Sequence, residues 1–186
     1  MTATVQSLTP DCALPAWLET CLLNFSDDAP ADEATDDDSV DKSNNLLVCR
    51  AFEFAHELHQ GQRRASGEPY ICHPIAVAGL LRDLGGDSAM IASGFLHDIV
   101  EDTEVTPEEI EERFGAEVRQ LVEGVTKLSK FNFESKTERQ AENFRRMFLA
   151  MAQDIRVIVV KLDDRLHNMR TLQHLSPEKQ RRIARE

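Results

Sequence analysis

The stretch from Gly94 to Thr103 reads Gly-Phe-Leu-His-Asp-Ile-Val-Glu-Asp-Thr. It sets one imidazole and three carboxylates, those of His97, Asp98, Glu101 and Asp102, in an otherwise apolar run. In a continuous helix the 3.6-residue turn would stack His97 over Glu101 and Asp98 over Asp102. Three carboxylates so close repel one another and shift each other's ionisation, and a divalent cation relieves that repulsion. The plain alternative is a solvated acidic helix end. Against it, acids at a helix C-terminus oppose the macrodipole, and the run from Ile91 to Val100 is too apolar for a surface. Buried charges are paired or bind metal, so the stretch reads as part of a metal site.

His97 and Asp98 alone leave such a site incomplete. His73 stands where a polar loop meets a helix start, and Asp164 lies in Val160-Lys-Leu-Asp-Asp-Arg-Leu-His-Asn-Met-Arg-Thr171, a second apolar helix carrying acids and amides. Asn168 and Thr171 fall on the same stripe as Asp164, and Arg165 and Arg170 are placed to neutralise Asp163 or Asp164. His73, His97, Asp98 and Asp164 contain no thiolate, which suits Mn²⁺, Fe²⁺ or Zn²⁺ and not a structural zinc site. A metal there lowers the pKa of bound water to roughly 7 and polarises phosphoryl oxygens. The chemistry is hydrolysis of phosphate esters or anhydrides. His56-Glu-Leu-His59 lacks the spacing of H-E-x-x-H. His167 and His174 read as packing or supporting groups.

The elements that must position these residues are helical. At 186 residues, the chain suits one domain with its own core. The apolar spacing predicts helices over Pro15 to Phe25, Asn44 to Leu58, His73 to Leu81 and from Asp87 through the acidic stretch. Further helices are expected from Pro107 to Gly115, Glu117 to Lys130, Thr137 to Gln153, Ile155 to Leu175 and from Pro177 onward. A strand competes locally at the β-branched run Ile155 to Val160. The fold class is all-α. Residues 1–43 read as an N-terminal extension, a short helix followed by an acidic flexible linker, and 44–186 as the domain.

The net charge of −12 is largely a property of that linker. Residues 26–41 hold eight acids and no base, and the remainder carries only −4. This argues against nucleic-acid binding. No apolar run is long enough to span a membrane, and no signal peptide is evident. Cys12, Cys21, Cys49 and Cys72 show no C-x-x-C spacing and are expected to be reduced thiols in a cytoplasmic protein.

Five segments taken in order, Ser66-Gly-Glu-Pro-Tyr70, His73-Pro74, His97-Asp-Ile-Val-Glu-Asp-Thr103, Gln140-Ala-Glu-Asn143 and Asp164-Arg-Leu-His-Asn-Met-Arg-Thr171, carry a family signature. From about Asn44 to Glu186 the chain resembles the hydrolase domain of RelA/SpoT-type (p)ppGpp synthetase/hydrolases, within the HD phosphohydrolase superfamily. The resemblance implies an HD-type helical bundle with one Mn²⁺ in its core. The implied reaction removes pyrophosphate from the ribose 3′ position of ppGpp or pppGpp. By position, His73, His97, Asp98 and Asp164 are the implied metal ligands and Glu101 and Asp102 the implied catalytic pair. Arg64, Ser66 and Tyr70 match the loop that cradles guanine, and Asn168 and Thr171 match positions facing the nucleoside. Ala65 replaces a lysine found in many members, a contact that Arg63 could supply instead.

The resemblance further implies synthetase and regulatory domains in a longer parent chain, and no (p)ppGpp synthesis by this one. Two other readings remain open at this point. One is an HD hydrolase acting on another nucleotide. The other is a nucleotide-binding regulatory module with little turnover. The segment Lys130 to Lys136 is expected to be a flap near the site or a plain surface connection.

Overall fold

Apolar side chains at helical spacing fold as helices throughout the residues described by the computed structural model, 12–24, 36–129 and 136–184. In order they are α1 (Ala16–Leu23), α2 (Asp36–Leu58), α3 (Cys72–Asp83), α4 (Ser88–Leu96) and α5 (Ile99–Asp102). Then come α6 (Pro107–Phe114), α7 (Ala116–Ser129), α8 (Lys136–Gln153) and α9 (Arg156–Arg170). A 3₁₀ turn (Leu172–His174) leads to α10 (Pro177–Ile183). Among the described residues there is no strand, only an isolated bridge between Arg63 and Pro69, and no helix long and apolar enough to cross a membrane.

The starts are written in the sequence. Asp87 accepts from the Met90 amide, Thr106 from Glu109 and Ser176 from Lys179, each satisfying an orphan donor of its helix. The β-branched run after Ile155 is helical because Val157 and Val160 are buried by neighbouring helices. Tertiary packing overrides local strand preference there.

The centre of the bundle is α4, buried along its whole length from Ala89 to Leu96. It packs against α2, α3 and α7. Phe95 meets Phe52 of α2 edge-on at 5.6 Å between ring centroids. Two glycines permit close helix approach. A Cβ on Gly94 would sit 2.8 Å from Leu81 Cδ1 and 3.0 Å from Ala78 Cα of α3. One on Gly124 of α7 would sit 2.8 Å from Val157 Cγ2 of α9.

Three expectations are corrected. The first domain helix starts at Asp36, so residues 36–43, expected in the linker, are helical. The helix carrying the acidic stretch is not continuous. It stops with His97 as its C-cap, and Asp98 starts a separate single turn, its carbonyl accepting from the amides of Glu101 and Asp102. The cysteines are not free. Cys12 is bridged to Cys72 and Cys21 to Cys49.

Docking of α1 is the physical reason for the pairing. Leu18 is fully buried, Trp17 lies 6.4 Å from Phe95, and Arg82 covers the Trp17 ring at 5.3 Å. This contact sets the cysteine Cα atoms 5.8 and 6.4 Å apart, within bridging range. Of the remaining expectations, the linker residues 25–35, the segment 130–135 and the side chains of Gln140 to Asn143 lie outside the described residues.

Candidate metal centre

Four elements deliver the four expected ligands to one place. His73 is the second residue of α3, His97 caps α4, Asp98 opens α5, and Asp164 lies within α9. His73, His97 and Asp164 are 2, 1 and 4 % exposed. Each offers a ligand atom within 4.8 Å of the others.

The two Nε2 atoms are 3.2 Å apart. Asp164 Oδ1 lies 3.3 Å from His73 Nε2 and 3.8 Å from His97 Nε2. Asp98 Oδ1 lies 3.2 Å from His97 Nε2, and its Oδ2 lies 3.6 Å from His73 Nε2. Two nitrogens bound to one ion at about 2.0–2.2 Å, at angles from square to tetrahedral, stand about 3.0–3.5 Å apart. The observed spacing therefore suits a shared ion.

The outer nitrogens fix which way the lone pairs face. His97 Nδ1 donates to the Gly94 carbonyl at 2.9 Å, which turns Nε2 toward the centre. His73 Nδ1 is 2.8 Å from His167 Nδ1. Burial, the His73 ring and the Arg64 guanidinium push His167 down to about 4, so it is neutral and can accept there. Burial also lowers the His73 pKa.

Burial opposes a charge on His97, but Asp98 and Asp164 outweigh it and push its pKa up to about 9. Burial works equally against charge on the two acids. The His97 charge overcomes it for Asp98, and the His73 hydrogen bond followed by His97 and Lys161 overcomes it for Asp164. Both carboxyls are held well below the usual range. The carboxylates hold positive charge on His97, and a dication placed between the same groups would meet the same field.

Lys161 Nζ pairs with Asp164 Oδ2 at 2.8 Å, which sets its charge against the ligand set. Asp163 is also buried, and burial raises its pKa against the pull of Arg170.

Glu101 and Asp102 are exposed beside the buried set. The Tyr70 hydroxyl lies 2.6 Å from Asp98 Oδ2 and 3.0 Å from Asp102 Oδ2, bridging an expected ligand to one of the expected catalytic pair. Sequence reasoning places Tyr70 beside the base and misses this bond. The Tyr70 ring stacks on buried His59 at 4.6 Å.

The residues expected at the nucleoside come together in part. Arg64 Nη2 donates to Asn168 Oδ1 at 2.9 Å and reaches Thr171 Oγ1 at 3.4 Å. Asn168 Nδ2 donates to Asp164 Oδ1 at 2.6 Å, joining that cluster to the ligand set. Ser66 is exposed in the loop, and Arg63 donates to the Gly67 carbonyl.

The family model described as HD domain matches residues 51–186. The chain belongs to the HD domain family. A Synechocystis relative, named probable guanosine-3′,5′-bis(diphosphate) 3′-pyrophosphohydrolase, is 68% identical to this HD domain chain over 176 residues, covering 95% of it and 22% of the relative. Bifunctional (p)ppGpp synthase/hydrolase SpoT of Escherichia coli is 55% identical over 137 residues, covering 74% and 20%. The HD domain chain thus spans about a fifth of the length of these relatives. A solved structure of a metazoan ortholog of SpoT, described as hydrolyzing ppGpp and acting in starvation responses, matches with a TM-score of 0.58 and 29% identity. That match covers 73% of this chain and 78% of the other.

Proposed function

We propose that this HD domain hydrolyses the 3′-pyrophosphate of ppGpp or pppGpp, yielding pyrophosphate and GDP or GTP, in the cytoplasm and with a single Mn²⁺. The observation that carries the reading is the Asn168 amide, bonded to Arg64 on one side and to Asp164 on the other. It makes a nucleoside contact and a metal contact neighbours, as cleavage next to a ribose requires. The names of the relatives support the same substrate.

His73, His97, Asp98 and Asp164 would hold the ion, which supplies polarisation of phosphoryl oxygens and acidification of water. Arg64 is held edge-on by Asn168 and Thr171, which leaves its planar face for stacking on guanine. Tyr70 and Ser66 complete the loop side. Glu101 orients the attacking water and takes its proton. Asp102, held by Tyr70, shares that proton. Water adds to the phosphorus on the 3′ oxygen, and the bond from that phosphorus to the 3′ oxygen breaks. The ribose 3′ oxygen leaves and takes up a proton, so that the pyrophosphate carrying the water's oxygen is released with GDP or GTP.

The longer relatives, one of them bifunctional, support synthetase and regulatory domains as neighbours in a parent chain. Exposed Phe144, Phe148 and Leu149 of α8 and Leu162 of α9 offer apolar surface to such neighbours.

Incubation with ppGpp and Mn²⁺ is expected to release GDP and pyrophosphate, and a chelator to stop it. Glu101→Gln is expected to lower release by at least about 10²-fold, the scale of general-base catalysis, while nucleotide binding persists. Unchanged release would remove Glu101 from its role.

A further inference from the structure

Both disulfides tie the N-terminal segment to the domain. Cys12 precedes α1 and joins Cys72, while Cys21 within α1 joins Cys49 of α2. The four cysteines of the chain are all consumed in this way. Cys12, Cys21 and Cys72 are half-buried and reachable, whereas Cys49 is 1 % exposed.

Cys72 is the first residue of α3, and His73 follows it. The Cys72 amide bonds the Pro69 carbonyl, the His73 amide bonds the Tyr70 carbonyl, and the Tyr70 hydroxyl reaches Asp98 and Asp102. The bridge at Cys72 therefore pins the short turn from which both a metal ligand and the support of the acid pair project. An eight-residue helix such as α1 does not persist by itself. Leu18 and Trp17 hold it by packing, and the two bridges fasten it covalently. The Synechocystis match over 176 residues takes in this segment. In a reducing compartment such bridges are transient and redox-responsive.

We propose that Cys12–Cys72, with Cys21–Cys49 behind it, is a reversible thiol–disulfide site at which a dithiol protein reductant frees the N-terminal segment and loosens the turn that carries His73. A reductant thiolate attacks Sγ of Cys12, forming a mixed disulfide and expelling the Cys72 thiolate, which takes up a proton. The second thiol of the reductant then closes its own disulfide and releases Cys12 as a thiol. Two electrons and two protons pass from the dithiol to the protein for each bridge. The less buried Cys12–Cys72 bridge opens first. The inference rests on the metal-site reading only for its effect at His73.

The test uses the whole chain, oxidised with glutathione disulfide and then titrated with dithiothreitol or thioredoxin, without nucleotide. Thiols are counted by alkylation and mass. Trp17, the sole tryptophan, reports docking of α1. Amide exchange over residues 69–76 reports the turn, and calorimetry gives Mn²⁺ affinity. Opening of both bridges is expected to red-shift Trp17 emission, speed exchange at 69–76 and weaken Mn²⁺ binding by about tenfold, the low end for loss of a group that orients a ligand. Reoxidation is expected to restore all three. Cys12→Ser is expected to show fast exchange at 69–76 and the weaker affinity in either redox state.

Bridges that fail to form, or that open with emission and exchange unmoved, would overturn the proposal. If no Mn²⁺ binds in either state, the metal-site reading has failed separately. The thiol site is then judged on emission and exchange alone, upheld if they move and overturned if they do not.

Discussion

Tyr70 shows how a single hydroxyl can join two roles. It donates toward Asp98 and Asp102 together, so one group orients both the proposed metal ligand and the proposed partner of the general base. Burial, followed by the charge of Asp98, raises its pKa, so the proton stays on the phenol and the bond persists at neutral pH. Tyr70→Phe keeps the ring and its stack on His59 but removes the donor. Its kcat is expected to fall about tenfold, the lower range for loss of a supporting hydrogen bond at a metal site, with KM little changed. A rise in KM at constant kcat would assign Tyr70 to the base instead. At this scale the buried cluster of His73, His97 and Asp164 was legible, because imidazoles and acids seldom sit inside apolar helices unless they are paired or bind something. The Tyr70 bond and the contact of His167 with His73 were not. They depend on distances across 28 and 94 residues of chain, which no spacing rule reaches.

Among the elements, α3 and α4 set the distance between the two imidazoles. Gly94 lets their backbones meet, three residues before His97. Gly94→Ala places a methyl where 2.8 Å separates it from Leu81 and 3.0 Å from Ala78. The variant is expected to lose about 1–3 kcal/mol of stability, as for overpacking. It should also bind Mn²⁺ more weakly, because α4 must move and carry His97 with it. Denaturant unfolding and a Mn²⁺ titration check the two effects. Helix existence was legible from the apolar period, and helix starts from Asp87, Thr106 and Ser176. The break at His97 was not, since the apolar pattern runs on through Ile99 and Val100 while only the backbone turns. The early start of α2 was hidden for the opposite reason. A run of acids suggests a solvated linker, and residues 36–43 hold a single apolar residue, Val40, so no apolar period marks a helix there.

For the whole molecule, Arg156 is a clamp at the start of α9. Its guanidinium pairs with Asp154, with Asp87 at the cap of α4 and with Glu117 of α7. It thus ties the helix carrying Asp164 to α4 and α7, which pack against it. The Arg156 hydrogen bond holds the Asp154 pKa below 3.8 against the opposing effect of burial. A carboxyl depressed in the folded state adds stability above its unfolded pKa and loses it as pH falls. Arg156→Ala is therefore expected to cost about 1 kcal/mol at pH 7, a screened surface cluster. The deficit should shrink as pH falls through the range near and below 3.8. Urea unfolding of both proteins across that range checks the sign. The all-α class was legible at this scale from periodicity, and the family from its ordered motifs. The cysteine pairing was not, since separations of 60 and 28 residues mean nothing until α1 is docked.

The central claim is that His73, His97, Asp98 and Asp164 share one divalent ion. Pulsed EPR of the metal-free chain with one equivalent of Mn²⁺ tests it most directly. A single bound ion coupled to two imidazole nitrogens is predicted. An ion that stays in solution, or one that shows only oxygen ligands, would contradict the account.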